Sequence, residues 1–357
     1  MLFVTGFPGF IGKRLVRELL ADDASSTVVC LVEPKMEEPA RAAAAELDAK
    51  ERVEILPGDI TDRRLGLSNE DYERLTAQTT AVFHLAAIYN LAVPFEIAQK
   101  VNVDGTGHIV EFCQNCEKLE RHNYVSTAYV AGTRKGVVYE HELIMGQWFK
   151  NHYESTKFQA EVWVRESMDK VPTAIYRPAI VVGDSQTGLT QKFDGPYFML
   201  RAIGVSLQRN MPIAKYGRSA APFNVVPVDF VVSGLLAGSK DDKAIGETFH
   251  LVDPEPISAG EVFELLSELY ANKKPAYTLP ARPVALALRS KRVREMFQGI
   301  PSESIQYLNH PVRYDARRAS DLLERGGLRL PRFPEYVETM VQFFREHEDD
   351  PAFAPAA

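Results

Sequence analysis

The sequence predicts an α/β fold: a doubly wound parallel sheet joined to a smaller, discontinuous, mainly helical C-terminal unit. Three observations carry that expectation. Short continuous apolar runs alternate with helix-patterned stretches through the first half, the pattern of strands buried on both faces by crossover helices. A glycine turn, Thr5-Gly6-Phe7-Pro8-Gly9-Phe10-Ile11-Gly12, joins the first apolar run to the first helical pattern. After Gly183 the alternation breaks down, and residues 255–345 read as helices with proline-rich joints.

In chain order, strands are expected at 2–4, 27–32, 53–56, 81–85, 123–126 and 173–176. Helical patterns such as 11–21, 97–119 and 153–168 fill the gaps. Strand character returns at 223–228 and 248–252. The sheet unit is thus expected over 1–185, resuming at about 222–254. The second unit takes 186–221 and 255–345. Residues 346–357 are charged, then rich in Pro and Ala, and are expected to be disordered.

At 357 residues with 45% hydrophobic content, the chain can bury a sizeable core. A net charge of −7 argues against a nucleic-acid partner. No apolar run is long enough to span a bilayer, and the chain opens directly on a strand. A soluble, cytoplasmic protein is expected. Cys30 sits in an apolar run, while Cys113 and Cys116 form a CxxC inside a helical pattern. No second cysteine pair completes a metal site and the histidines are scattered, so no metal is expected.

Gly6, Gly9 and Gly12 follow an apolar strand and open a helix. Glycines so spaced let the backbone turn tightly beside a pyrophosphate, whose charge faces the helix N-terminus. The spacing is GxxGxxG rather than the commoner GxGxxG. Tyr153 and Lys157 stand at i and i+4 on one helix face. A free phenol titrates near ~10, and a nearby ammonium favours the phenolate. Tyr153 is therefore the candidate general acid/base, with Lys157 expected to lower its pKa. Together the two motifs point to nicotinamide-dependent redox chemistry. Tyr270 and Lys274 repeat the spacing and serve as a control. They run into Pro275 with no hydroxyl-bearing strand before them, and read as a helix end.

The run 123–130 precedes Tyr153, strand-like and carrying Ser126 and Thr127. One of these hydroxyls is expected to bond a substrate carbonyl beside Tyr153; strand alternation allows only one to face the site. Glu33 ends the second strand about 20 residues past the glycine turn, where an acid can bond ribose hydroxyls and repel a 2′-phosphate. That slightly favours NADH over NADPH, although Lys35 can meet a phosphate. A solvent-facing loop glutamate is the plain alternative.

The chain resembles the extended short-chain dehydrogenase/reductase family over most of its length. The matching pieces come in family order: the glycine turn, Gly58-Asp59-Ile60-Thr61, His84-Leu85-Ala86-Ala87, Asn102 to Thr106, Ser126-Thr127-Ala128-Tyr129, Tyr153 with Lys157, and Tyr176-Arg177-Pro178-Ala179-Ile180. The segments 125–130, 151–161 and 177–185 are similar to those of fatty acyl-CoA reductases and thioester or carboxylic acid reductase domains. The resemblance implies a Rossmann-type sheet binding NAD(P)H. It implies that Asp59 and Ile60 flank the adenine and that Leu85, Ala86 and Ala87 leave space beside the cofactor. Asn102 ties loops behind the site or lines it. Pro178 and Ile180 lie against the nicotinamide, and Lys157 bonds the nicotinamide ribose. Counting back from Gly132 favours Thr127 over Ser126. Reductases of this subgroup usually carry an arginine where Glu33 stands, so the chain departs from the pattern there.

Tyr89, Phe193 and Tyr197 are candidate substrate contacts, with Phe198 and Met199 as further pocket wall. Residues 284–288 and Met296-Phe297 are a candidate far lid. An apolar carbonyl substrate is expected, led by a fatty acyl thioester or aldehyde. A CoA or carrier-protein thioester and a homodimer stand as partner expectations. A nucleotide-sugar epimerase, a ketosteroid or flavonoid reductase and a non-catalytic cofactor sensor stay open as alternatives. The basic cluster Arg289, Lys291, Arg292 and Arg294 is expected to be a solvated helix face.

Overall fold

A computed structural model describes residues 1–89, 93–217, 220–297, 300 and 302–354. The strands are β1 (Leu2–Thr5), β2 (Val28–Val32), β3 (Val53–Pro57), β4 (Ala81–His84), β5 (Arg121–Val125), β6 (Gly136–Val138), β7 (Thr173–Pro178), β8 (Ile180–Val182), β9 (Ala214–Tyr216), β10 (Val225–Pro227), β11 (Thr248–Leu251), β12 (Tyr277–Leu279) and β13 (Val312–Tyr314). The helices are α1 (Phe10–Asp22), α2 (Glu37–Ala45), α3 (Asn69–Gln78), α4 (Phe95–Ala98), α5 (Gly105–Asn115), α6 (His152–Glu166), α7 (Tyr197–Gln208), α8 (Val228–Lys240), α9 (Ala259–Ala271), α10 (Ala281–Leu288), α11 (Lys291–Met296), α12 (Arg317–Arg325) and α13 (Phe333–His347).

Seven strands make one sheet in the order β11-β7-β5-β4-β1-β2-β3, each neighbouring pair parallel. The order reverses between β1 and β4, which opens a crevice at the carboxyl ends of those two strands. The register keeps those ends level: Thr5 pairs with both Leu31 and His84. One face is packed by α1, α8 and α12 through Leu15, Val16, Val231, Leu235 and Leu322. The other face is packed by α3 and α5 through Leu75, Ile109 and Phe112 against Phe3 and Val29. Both faces are covered, so the strands read as unbroken apolar runs.

A separate apolar core joins α7, α9 and α13 and includes Leu288 of α10 and Ile305 and Leu308 of the 3-10 turn Ser302–Asn309. It departs from expectation in two ways. Val312, Tyr314, Ala319 and Leu322 belong to the sheet's core, with β13 pairing β6. The chain thus returns to the sheet unit within 255–345, where one continuous helical unit was expected. The tail is also ordered further than expected. Helix α13 runs to His347, and Phe353 packs on Phe193 at 5.1 Å and on Phe343 at 5.4 Å. Aromatic burial at Phe353 outweighs the Pro/Ala composition around it. Residues 355–357 lie outside the described residues. Among the described residues, no helix is long and apolar enough to cross a membrane.

Candidate active site

The glycine turn sits at the end of β1, over the crevice. Gly6 takes φ +90°, and a Cβ there would lie 2.9 Å from the Ala86 amide nitrogen. A Cβ on Gly12 would lie 2.4 Å from the Gly6 carbonyl oxygen, and one on Gly9 2.7 Å from the same atom. Only glycine permits this winding. Gly9 begins α1 with no side chain capping it, which leaves the first-turn amides for an anion. Phe7, Pro8, Phe10 and Ile11 complete the turn, and the Phe7-Pro8 peptide is cis. Leu85, Ala86 and Ala87 follow β4 directly across the crevice. Thr5 Oγ1 accepts the Ala86 amide at 3.2 Å and bonds His84 Nδ1 at 2.7 Å, fixing the two strand ends together. This cradle fits a dinucleotide.

At the end of β2, Glu33 is half-exposed and paired with Lys35 at 2.7 Å. The two residues weighed separately in the sequence meet one another. Asp59 accepts the Thr61 amide at 2.8 Å, and Ile60 packs where a Cβ on Gly105 would stand. Asn102 is buried and fully engaged: it exchanges hydrogen bonds with the Ile88 backbone and donates to Thr156 Oγ1 at 3.0 Å. Its side chain therefore ties loops together and does not line the crevice. Pro178 ends β7 and Ile180 begins β8, against which the Gly195 backbone packs.

Asn151 caps α6 by accepting the Glu154 amide at 3.0 Å, which sets Tyr153 in the first turn. The Thr127 hydroxyl lies beside the Tyr153 hydroxyl, close enough to pull its pKa down. Burial pushes the Tyr153 phenol up to about 12, with Thr127 pulling it down and the Glu154 charge adding to the rise. Tyr89, half-exposed, stands edge-on to Tyr153 at 5.1 Å.

Lys157 is buried. Its Nζ donates to the Val125 carbonyl at 2.9 Å and lies 4.5 Å from the Tyr124 ring centre. Burial pulls its ammonium down to about 7 against the opposing Glu161. The Tyr153 phenol is set by burial, Thr127 and Glu154, while β5 holds the Lys157 ammonium.

Ser126 is also reassigned. Its Oγ donates to Glu161 Oε2 at 2.6 Å. Glu161 is buried and would be raised by burial, but Arg177, Arg165 and Ser126 hold it down to about 2. Ser126 belongs to that buried network, which leaves Thr127 as the hydroxyl at Tyr153.

Phe193 and Tyr197 are not substrate contacts. Both are essentially fully buried in the α7–α9–α13 core, Phe193 against Phe344 at 4.8 Å. The Tyr197 hydroxyl accepts the Gly183 amide at 3.2 Å. Phe198 and Met199 share that core, and so do Val284, Leu288 and Phe297. Aromatic spacing at 193–199 records packing. The control Tyr270 ends α9, where Asn272 turns left-handed, and its hydroxyl donates to Glu348 at 2.6 Å. Arg289, Lys291, Arg292 and Arg294 are all exposed. Sequence reasoning missed Lys150, Glu154 and Tyr307, which surround the start of α6; the i,i+4 spacing of Lys150 and Glu154 was the available signal.

A switch-point crevice, a glycine cradle and a Thr–Tyr–Lys set at the carboxyl ends of a parallel sheet define an NAD(P)-dependent oxidoreductase of the extended short-chain dehydrogenase/reductase type. A sequence model of the male sterility protein family matches residues 4–235, and the chain belongs to that family. The chain is similar to a component of the linear gramicidin synthase of Brevibacillus parabrevis, at 29% identity over 70% of this chain and 5% of that protein. It is 30% identical to a glycine betaine reductase of Emericella nidulans over 75% of this chain and 22% of that one. An aldehyde reductase of Aspergillus flavus is 27% identical over 92% of this chain and 34% of its own length. The chain thus spans about a third or less of these relatives. Among solved structures, the terminal R domain of the myxalamid PKS-NRPS pathway superposes with a TM-score of 0.82 at 26% identity, covering 99% of this chain and 92% of that one. An NAD-bound dTDP-glucose 4,6-dehydratase of Streptomyces venezuelae shares the fold at 19% identity and a TM-score of 0.70, with 98% and 99% covered.

Proposed function

We propose that this chain reduces the carbonyl of an aldehyde or acyl thioester, with Tyr153 as proton donor and Thr127 holding the carbonyl oxygen. The nearness of the Thr127 and Tyr153 hydroxyls at the end of β5 supports this reading. Two neighbouring hydroxyl donors suit a single carbonyl oxygen that accepts from both. A nicotinamide held in the crevice would supply hydride to the carbonyl carbon, and a thioester would then lose its thiol to leave the aldehyde. This chain supplies the rest. The Tyr153 proton passes to the oxygen as charge builds there, and a phenol near 12 is fully protonated at neutral pH and ready to donate. Lys157 anchors α6 to β5, and its remaining N–H groups are proposed to bond the cofactor ribose.

Gly6, Gly9 and Gly12 are proposed to cradle the pyrophosphate, Asp59 and Ile60 to flank the adenine, and Pro178 and Ile180 to border the nicotinamide. Glu33 is proposed to favour NADH slightly, its pairing with Lys35 moderating the preference. The thioester reading is supported by likeness to a PKS-NRPS terminal R domain above 25% identity. The apolar side chains once expected to line the pocket are core, so they lend the substrate no support. Likeness to sugar-modifying enzymes carries the fold alone. A cofactor-oxidation assay with octanoyl-CoA, octanal and a nucleotide sugar tests the reading. Turnover of either octanoyl compound is expected, and turnover of the sugar alone overturns it.

A further inference from the structure

A buried polar cluster joins the start of α6 to the C-terminal stretch of the chain. Lys150 Nζ donates to Glu154 Oε1 at 2.9 Å and to the Gly132 carbonyl at 2.8 Å. The Lys150 amide donates to Glu154 Oε2 at 2.9 Å. The Tyr307 hydroxyl donates to Glu154 Oε1 at 2.9 Å and accepts from Asn151 Nδ2 at 2.8 Å. The Glu154 side chain is fully buried and that of Lys150 nearly so. The ammonium also lies over the rings of Tyr307, at 5.1 Å, and Tyr129, at 5.8 Å.

Each of these groups touches something the reaction uses. Glu154 directly follows Tyr153. Asn151 is the cap of the Tyr153 helix. Gly132 closes the turn that begins at Thr127. Tyr307 lies in the Ser302–Asn309 turn, which packs on α10 in the other core. A buried, fully partnered network of this kind fixes one geometry, and losing one member leaves a buried polar group unpaired.

We propose that Lys150, Glu154 and Tyr307 form a latch through which the 302–309 segment positions Tyr153 against Thr127, making Tyr307 and Glu154 positioning residues for the reaction. The inference rests on Tyr153 being the acid of the proposed reduction. It adds a second consequence. Glu154 faces Lys150 from its own approach loop, Tyr307 from the 302–309 segment, Tyr129 from the turn after Thr127, Tyr314 from β13, and Tyr153 beside it. His310 feels the Lys150 charge. Tyr153 in turn faces Tyr89, Tyr124 and Tyr129. Glu154 is the carboxylate that opposes the Tyr153 phenolate, so its charge tunes the proton donor as well as placing it.

The test measures octanol oxidation with NAD+ as a function of pH, where the phenolate is the base and the rate rises with its formation. Glu154→Gln removes the opposing charge, so the rising limb moves to lower pH. Tyr307→Phe keeps the carboxylate, so the limb stays in place while kcat falls by about ten-fold or more through misplacement, with cofactor affinity unchanged. Tyr314→Phe is the control, because its buried hydroxyl has no hydrogen-bond partner among the described residues; its kcat and pH profile remain those of the wild type. Amide hydrogen exchange at 150–155, read on the same proteins, quickens in Tyr307→Phe whether or not octanol is turned over. If Glu154→Gln does not fold, Tyr307→Phe carries the test. Wild-type kcat and exchange in Tyr307→Phe, or an unshifted limb in folded Glu154→Gln, overturns the latch. Full turnover in Tyr153→Phe overturns the site assignment instead.

Discussion

Ser126 and Thr127, adjacent at the end of β5, divide their hydroxyls between two partners. Ser126 donates to Glu161 at 2.6 Å, and the Thr127 hydroxyl lies beside the Tyr153 phenol and lowers its pKa. One stabilises a buried charge network while the other stands at the proposed reacting oxygen. Their separation turns a choice that the sequence left open into a testable difference.

Thr127→Val is expected to lower kcat by ~10²- to 10³-fold while leaving the melting temperature nearly unchanged, the scale of losing one oxyanion donor. Ser126→Ala is expected to do the reverse. It strips one donor from Glu161 and costs about 1–3 kcal/mol of stability, with turnover largely kept. Thermal melts and steady-state kinetics on both variants check this. Equal kinetic losses would contradict the division.

Tyr153→Phe removes the proposed proton donor and keeps the ring. Turnover is expected to fall by at least ~10²-fold with cofactor binding intact, as titrated by fluorescence. Tyr270→Phe, with the same spacing to a lysine, should keep wild-type kcat because its hydroxyl meets Glu348. A damaging Tyr270→Phe beside a harmless Tyr153→Phe would reverse the assignment.

Glu33→Arg is expected to shift cofactor preference toward NADPH. One substitution removes the proposed ribose acceptor and phosphate repeller and adds a phosphate donor. It also breaks the pair with Lys35, freeing that ammonium for the 2′-phosphate. The ratio of kcat/KM for the two cofactors reads the change. A wild-type enzyme already preferring NADPH by about ten-fold or more would count against Glu33 as the discriminator.

Lys157 makes stability depend on pH. Burial pulls its pKa from 10.5 to about 7. Between those values the unfolded chain holds a proton that the folded chain has released. Its contribution to stability is therefore full above about 10.5 and is lost as pH falls through about 7, by up to ~1.4 kcal/mol per pH unit. Wild type is expected to gain melting temperature relative to Lys157→Met between pH 7 and 10. A difference that stays flat over that range would mean that the ammonium remains charged in the fold.

The sheet was legible in the sequence because both its faces are buried. Strands such as β2, wholly buried, leave continuous apolar runs that periodicity finds easily. The glycine turn and the Tyr153–Lys157 pair were legible because steric closeness at Gly12 and one-turn spacing are local properties. What depends on distant packing was not. Phe193 and Tyr197 read equally as pocket wall or core until α13 and Phe353 are seen to cover them. Lys157 was expected at the phenol because spacing gives a helix face, not the carbonyl of Val125 that claims its ammonium. Three-residue strands such as β6 and β13 are too short to show a period, so the return of 312–325 to the sheet was hidden. Tyr307 lies more than a hundred residues from Glu154, and no local pattern joins them.

Tyr153 is proposed to supply the proton to a substrate carbonyl that would take its hydride from a bound nicotinamide. Single-turnover reaction with a cofactor deuterated at the transferred position, followed by mass spectrometry of the product, tests it most directly. With octanal as substrate, the account predicts octanol carrying one deuterium at the carbinol carbon, formed in step with cofactor oxidation and abolished in Tyr153→Phe. Unlabelled octanal, together with a nucleotide sugar interconverted without net cofactor oxidation, would contradict it.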